Sequence, residues 1–297
     1  MEKIGFIGAG TVGTALASRL SQKGYAVVAV SSRTVASARR LAGAVPGCKL
    51  YQTAQEVAEA AEFVFITTPD DVIPTIAEKV SWHSDQKVVH CSGADSLDIL
   101  EPARLAGARV GCFHPLQTFA SVEQAVDNLP GTTFALEAEE PLLTTLKEMA
   151  RSLEGDSVQL KAGDKVLYHA AAVFACNYVV TLVKLATDLW QGFGIPRDRA
   201  TRAILPLLHG TVRNIGSVGL PNCLTGPIAR GDLGTIRKHL KALETADPNL
   251  MDAYAELALQ TIPIAVAKGR IGEEKARELE GLLLRVIPQR RTVTHKS

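Results

Sequence analysis

Two things are scarce in this chain of 297 residues: aromatic side chains, at 5%, and a charge excess of either sign. Lys and Arg number 32 against 31 Asp and Glu, a formal net charge of +1. That balance lacks the basic footprint with which a protein meets nucleic-acid phosphates or an anionic membrane surface, so neither partner is expected. Cysteine is sparse as well. Cys48, Cys91, Cys112, Cys176 and Cys223 are scattered, odd in number, and form no CxxC pair. This excludes a disulfide framework and a thiolate metal centre, and it reads as free thiols in a reducing cytoplasm. The N-terminus "MEKIGFIGAG" begins a strand at once and shows no signal-peptide pattern. No run of roughly 18 apolar residues free of charge is read, so no membrane span is expected.

What is plentiful is core-forming side chain, 46% of the residues, enough for one large domain or two ordinary ones. "KIGFIGAGTVGTALASRLSQKGYAVVAVSSRT" is a βαβ unit in sequence form. A strand, Lys3 to Ile7, runs into Gly8, Gly10 and Gly13, and a helix with Val12, Leu16 and Leu20 on one face follows. A GxGxxG in that context is a dinucleotide fingerprint. Gly8 permits the tight turn, Gly10 lets backbone approach a pyrophosphate, and Gly13 lets helix and strand pack closely. Thr11 and Val12 open the helix, whose free N–H groups and positive dipole end suit phosphate.

The second strand ends in "SSRT", Ser31 to Thr34, with no acid to hold a ribose 2′-hydroxyl. Arg33 can instead fork onto a 2′-phosphate, with Ser31 and Ser32 adding hydroxyl donors. The expected cofactor is therefore NADP. The other reading of Arg33 is a solvated loop arginine.

A strand at Phe63 to Ile66 carries Thr67, Thr68, Pro69 and Asp70 at its carboxyl end, where open α/β sheets bind ligands. Lys87 to His90 is another strand, followed by Ser92 and Gly93, and "ARVGCFHPLQTF" is a third, with His114 at its exit. "GTTFALEA" and "DSVQL" flank a helix from Pro141 to Leu153. The alternation predicts an α/β domain with a doubly wound parallel Rossmann sheet. Past residue 160 strand signals vanish and amphipathic helices take over. The expected division is a cofactor domain over 1–160 and an all-α substrate and dimerisation domain over 161–297, with the last ten residues, "PQRRTVTHKS", frayed.

His114 and Ser92 follow strands whose carboxyl ends face the cofactor crevice. His114 there can exchange a proton with an oxygen on the reacting carbon. Ser92 with Gly93, and the amide of Gln117, can hold the same substrate. The alternatives are a capping histidine and ordinary Ser-Gly turn chemistry. On the long apolar helix His169, Asn177, Lys184 and Asp188 fall in one arc at roughly 100° per residue. Asn177 among apolar neighbours needs a partner. Lys184 can anchor a carboxylate or snorkel to solvent. Arg230, in the loop "LTGPIARGD", can reach an anion or be part of a connector.

Together "IGFIGAGTVGTALA", "CFHPLQTFA" and "LTGPIARGDLGTIRKHL" resemble bacterial proteins that pair a Rossmann-like domain with a helical C-terminal domain of unassigned function. The resemblance covers essentially the whole chain. Some of that group act as an alternative, NADPH-dependent ketopantoate reductase. The wider superfamily includes 6-phosphogluconate, β-hydroxyacid and prephenate dehydrogenases and pyrroline-5-carboxylate reductase. The prephenate dehydrogenase pattern implies that Ser92 and His114 bind and deprotonate a substrate hydroxyl, although Leu116-Gln117 stands where those enzymes carry a small residue and glycine. The expected activity is NADPH-dependent reduction of a small 2-keto acid such as ketopantoate. A prephenate dehydrogenase-like or pyrroline carboxylate reductase-like activity and a non-catalytic NADPH sensor are the alternatives. The expected assembly is a homodimer, and no metal is expected.

Overall fold

The computed structural model describes residues 1–287; the expected fraying at 288–297 falls outside them. The N-terminal part alternates as its sequence predicts. In order come β1 (Lys3–Ile7), α1 (Thr11–Gln22), β2 (Ala26–Ser31), α2 (Val35–Ala44), β3 (Lys49–Leu50), α3 (Ala54–Ala60) and β4 (Phe63–Ile66). Next are α4 (Ile73–Lys79), β5 (Lys87–His90), α5 (Glu101–Leu105), β6 (Arg109–Pro115), α6 (Val122–Asn128), β7 (Thr133–Ala138), α7 (Leu142–Ser152) and β8 (Asp156–Gln159). One sheet holds all the strands in the order β3-β2-β1-β4-β5-β6-β7-β8. The chain leaves β1 in one direction and returns to its other side through β4, so the crevice for a ligand opens beside β1. The sheet is parallel except between β6 and β7, which run antiparallel with His114 opposite Ala135. The fully parallel sheet expected from the sequence is corrected there, because strand direction follows the connection and leaves no mark in the apolar pattern.

Both faces of the sheet are covered, which is why its strands read as apolar runs rather than alternating ones. The scarce aromatics are concentrated here. Phe6 stacks on Phe65 at 5.1 Å, Phe65 meets Phe113 edge-on at 6.0 Å, and Phe113 stacks on Phe134 at 4.4 Å. This ladder crosses from β1 to β7, and each such pair adds about 0.5–1.5 kcal/mol beyond its burial.

After β8 come α8 (Asp164–Ala172), a π turn (Val173–Asn177) and α9 (Tyr178–Gly192), then α10 (Arg197–Val218), α11 (Leu233–Ala246), α12 (Pro248–Ala267) and α13 (Glu273–Leu284). The molecule divides into compact units at 1–177 and from 178 on. The division expected after residue 160 therefore moves to Asn177, because Lys165 and Tyr168 bond α8 to the sheet of the first unit. The second unit is helical, with a core of α11, α12 and α13 around Ile236, Ile262 and Leu279.

A second expectation is also corrected. Val166 to Val183 is an unbroken stretch of eighteen residues without Asp, Glu, Lys or Arg. The helix Asp164–Gly192 is, among the described residues, the one long and apolar enough to cross a membrane by length and composition.

Candidate active site

A cleft of about 500 Å³ opens at the carboxyl ends of β1, β2 and β4. It is lined by Gly8, Gly10, Ser31, Ser32, Arg33, Thr67, Thr68 and Pro69 among others. Gly8 has φ of +112° and donates its N–H to Ser31 O at 2.8 Å, so the turn between β1 and α1 needs glycine. A side chain at Gly13 would place Cβ 2.3 Å from Thr67 Oγ1 and 2.7 Å from Gly8 O. Thr67 itself donates to Gly8 O at 2.9 Å and latches β4 to the loop. Gly10 caps α1 with no side chain, and a Cβ there would meet nothing within 4 Å. Thr11, Val12 and Gly13 form the first turn, whose N–H groups carry no side-chain cap.

These features fit a dinucleotide. A glycine-walled loop opens onto an uncapped helix N-terminus, and the buried Thr68 hydroxyl, in the cleft wall, lacks a protein partner. Among the described residues that line the cleft, Arg33 is the one charged side chain, and it is exposed.

A second cavity, of about 620 Å³, lies at the exit of β6. It brings together His114, Gln117, His169 and Asn177 from the residues named on sequence grounds, and adds Tyr168 and Phe119. His114 Nδ1 and the Tyr168 hydroxyl are 2.9 Å apart, and the rings meet edge-on at 89°. His169 stands 6.4 Å from His114, centroid to centroid. Burial, with smaller contributions from Lys165 and His169, lowers the His114 pKa to about 4. Burial pushes the Tyr168 phenol well above its ordinary value. At neutral pH His114 is thus an uncharged imidazole, and the proton exchange expected of it runs through that neutral ring.

Gly93 seats the two imidazoles. A Cβ on it would lie 2.6 Å from His169 Cδ2 and 2.8 Å from His114 Nε2. It therefore makes room for the site and does not itself line the cavity. Ser92 is likewise corrected from substrate contact to internal brace. It is buried, its hydroxyl lies 2.9 Å from both Asp70 Oδ2 and Asp95 Oδ2, and it accepts the Asp95 N–H at 3.0 Å. Gln117 turns its amide oxygen to Thr118 N.

Lys184 and Arg230 belong to the second unit. The Lys184 ammonium pairs with Asp188 at 2.7 Å, and Asp188 also takes Arg197 at 2.8 Å, so the carboxylate anchor expected of Lys184 is replaced by an ion pair. The single helical pitch assumed for the arc does not run through from His169 to Lys184. The π turn at Val173–Asn177 inserts a residue and rotates the rest of the helix by about 100°. Arg230 is exposed and lines a separate cavity of about 450 Å³ with Lys268 and Arg270.

The sequence reading missed Lys165 and Tyr168. Lys165 is buried at 1% exposure, with Nζ 2.6 Å from Ser92 O and 2.7 Å from Cys112 Sγ. A signal was available: Lys165, Tyr168 and His169 stand at i, i+3 and i+4, one face of a helix.

The description of a Rossmann-like domain matches residues 1–115, and that of a domain of unknown function, DUF2520, matches 132–261. The chain therefore carries a Rossmann-like domain followed by a DUF2520 domain. No curated protein sequence matches it. A crystal structure of a Bacteroides fragilis protein, provisionally named an NADP oxidoreductase, is similar over 88% of this chain and 98% of its own, at 29% identity and a TM-score of 0.70. A Thermotoga maritima protein is similar over 90% of this chain and all of its own, at 27% identity and a TM-score of 0.74. The reductive aminase of Aspergillus terreus, solved with NADPH and ethyl-5-oxohexanoate, shares the fold over 96% of this chain and 93% of its own, at 18% identity and a TM-score of 0.63.

Proposed function

We propose that this chain is an NADP-dependent reductase that acts on the carbonyl or imine carbon of a small substrate. The observation that carries the reading is the His114–Tyr168 pair, at 2.9 Å, in a cavity at the carboxyl edge of the sheet whose first βαβ unit holds the dinucleotide cleft. The cofactor, NADPH, supplies hydride when bound. The N–H groups of the first turn of α1 would hold its pyrophosphate, and Arg33 its 2′-phosphate.

Tyr168 and His114 share the proton work. With the ring as the Nδ1–H tautomer, His114 donates to the phenol oxygen and leaves the Tyr168 O–H free to donate to the substrate oxygen or nitrogen. Burial holds the phenol protonated, so its proton is available to a nascent alkoxide as hydride arrives. The uncharged His114 then stabilises the developing phenolate with a hydrogen bond strengthened by burial. Gln117 and Asn177 can orient the substrate, with Phe119 and the alanines of α8 closing on its apolar part.

The substrate tried first is a 2-keto acid, ketopantoate, as the family resemblance implies. We place the protein in the cytoplasm, in line with its five free cysteines, and as a homodimer. The test is single-turnover NADPH oxidation with ketopantoate, simple ketones and a cyclic imine. Tyr168→Phe should slow the step by about 10²–10⁴-fold, the ordinary worth of a positioned acid, with NADPH affinity unchanged. A parent protein that oxidises NADPH with none of these is a cofactor-binding regulator instead, and an equally fast Tyr168→Phe removes the phenol from the mechanism.

A further inference from the structure

A lysine buried away from solvent is costly unless its donors are used. Lys165 is 1% exposed, and no described ion pair includes it. Its Nζ is instead 2.6 Å from Ser92 O, just beyond β5, and 2.7 Å from Cys112 Sγ, in β6. One amine therefore ties the ends of two strands to the first turn of α8. The spacing matches that of the reacting pair. Cys112 and His114 are two apart on one face of β6, while Lys165 and Tyr168 are three apart on one face of α8. Lys165 bonds Cys112 as Tyr168 bonds His114.

We propose that Lys165 is a positioning residue of this site: it clamps α8 so that Tyr168 meets His114, and its ammonium, bonded two residues away at Cys112, disfavours a positive charge on the His114 ring. The inference rests on the reading of His114 and Tyr168 as the reacting pair. Around the ring stand His90 at the end of β5, Lys165, Tyr168 and His169 from α8, and Cys112 two residues before it on β6. The nearby acids are turned elsewhere or offset. Asp70 and Asp95 receive the Ser92 hydroxyl, and Glu137 lies across from Cys112 in the β6–β7 pairing. Two histidines near Lys165 behave accordingly. Burial first, and then Lys165, hold His90 down to about 3 and His114 to about 4.

The experiment titrates His114 by NMR in ¹⁵N-histidine-labelled full-length protein without cofactor, with the ring assigned through His114→Gln. The parent ring should stay uncharged to about pH 4. In Lys165→Gln, which keeps an N–H donor but no charge, the midpoint should rise by about one pH unit or more. Lys165→Arg should stay near the parent. In turnover, the acid limb of the kcat profile should move to higher pH in Lys165→Gln, with NADPH affinity held. A folded Lys165→Gln with the parent's His114 midpoint overturns the proposal. If that variant does not fold, a parent ring that titrates near its ordinary value overturns it. The titration needs no substrate, so it stands or falls apart from the reductase reading.

Discussion

At the scale of single residues, Arg33 is the side chain proposed to select the cofactor form. It is the one charged side chain among the described residues lining the dinucleotide cleft, at the end of β2 where an acid would select the unphosphorylated ribose. Arg33→Ala should weaken NADPH by about 1.5–3 kcal/mol, the range for a hydrogen bond to a charged group, and leave NADH nearly unchanged. Fluorescence titration of both cofactors checks this, and equal affinity of the parent for the two contradicts it. His114 and His90 give the fold a pH dependence of known sign. Their folded pKa values, about 4 and about 3, lie below the ordinary 6.5. The unfolded chain therefore takes up these protons first as pH falls. The stability is fully present above about pH 6.5 and is lost as pH drops through the folded values, at up to about 1.4 kcal/mol per pH unit for each ring. Urea midpoints measured from about pH 7 to about pH 5 should fall steadily, and a flat profile would mean that the rings are not held uncharged.

Between elements, the contact of α1 with β4 is the tightest constraint. Gly13 sits where a Cβ would press on Thr67 Oγ1 and on the backbone oxygen of Gly8. The second of these cannot swing away. Gly13→Ala should push α1 off the sheet and destabilise the first unit by about 1–3 kcal/mol, the usual cost of overpacking. A thermal melt reads it, and an unchanged Tm would show that the helix yields freely. This constraint was legible in the sequence, because only glycine satisfies it and its spacing repeats the geometry it serves. The strands were legible as well, since burial on both faces writes continuous apolar runs. The reversal of β7 was not, since an apolar run has no direction. Lys165 escaped for a different reason. A charged residue beside "AGD" reads as a solvated helix start, and its burial depends on Ser92 and Cys112, far away in sequence. Ser92 was identified from its position at a strand end, yet its bonds go inward to Asp70 and Asp95, which no local pattern announces. The π turn between His169 and Lys184 was not legible either, because it leaves no mark in composition while it resets the helical face.

For the whole molecule the open question is what covers the helix Asp164–Gly192. Its most apolar window has a mean hydropathy of 1.7 with none of it buried, and Leu167 and Val180 are 77% and 70% exposed. Leu207 and Val212 on α10 are also exposed, at 72% and 61%. Apolar surface on this scale marks an interface rather than a face meant for water. A membrane would cover the helix, but at the cost of the ion pairs of Asp188 with Lys184 and Arg197, which need a polar setting. A second copy of the chain would cover the apolar stripe with its own counterpart, as a two-fold interface requires, without taking the ion pairs into lipid. The expected species is therefore a homodimer in detergent-free buffer. Light scattering at micromolar concentration should give twice the chain mass of 31.7 kDa. Val180→Asp should shift the population toward monomer, because it would place an unpaired carboxylate in the apolar contact. A parent that scatters as a monomer, or that stays in solution only with detergent, would return the helix to the membrane reading.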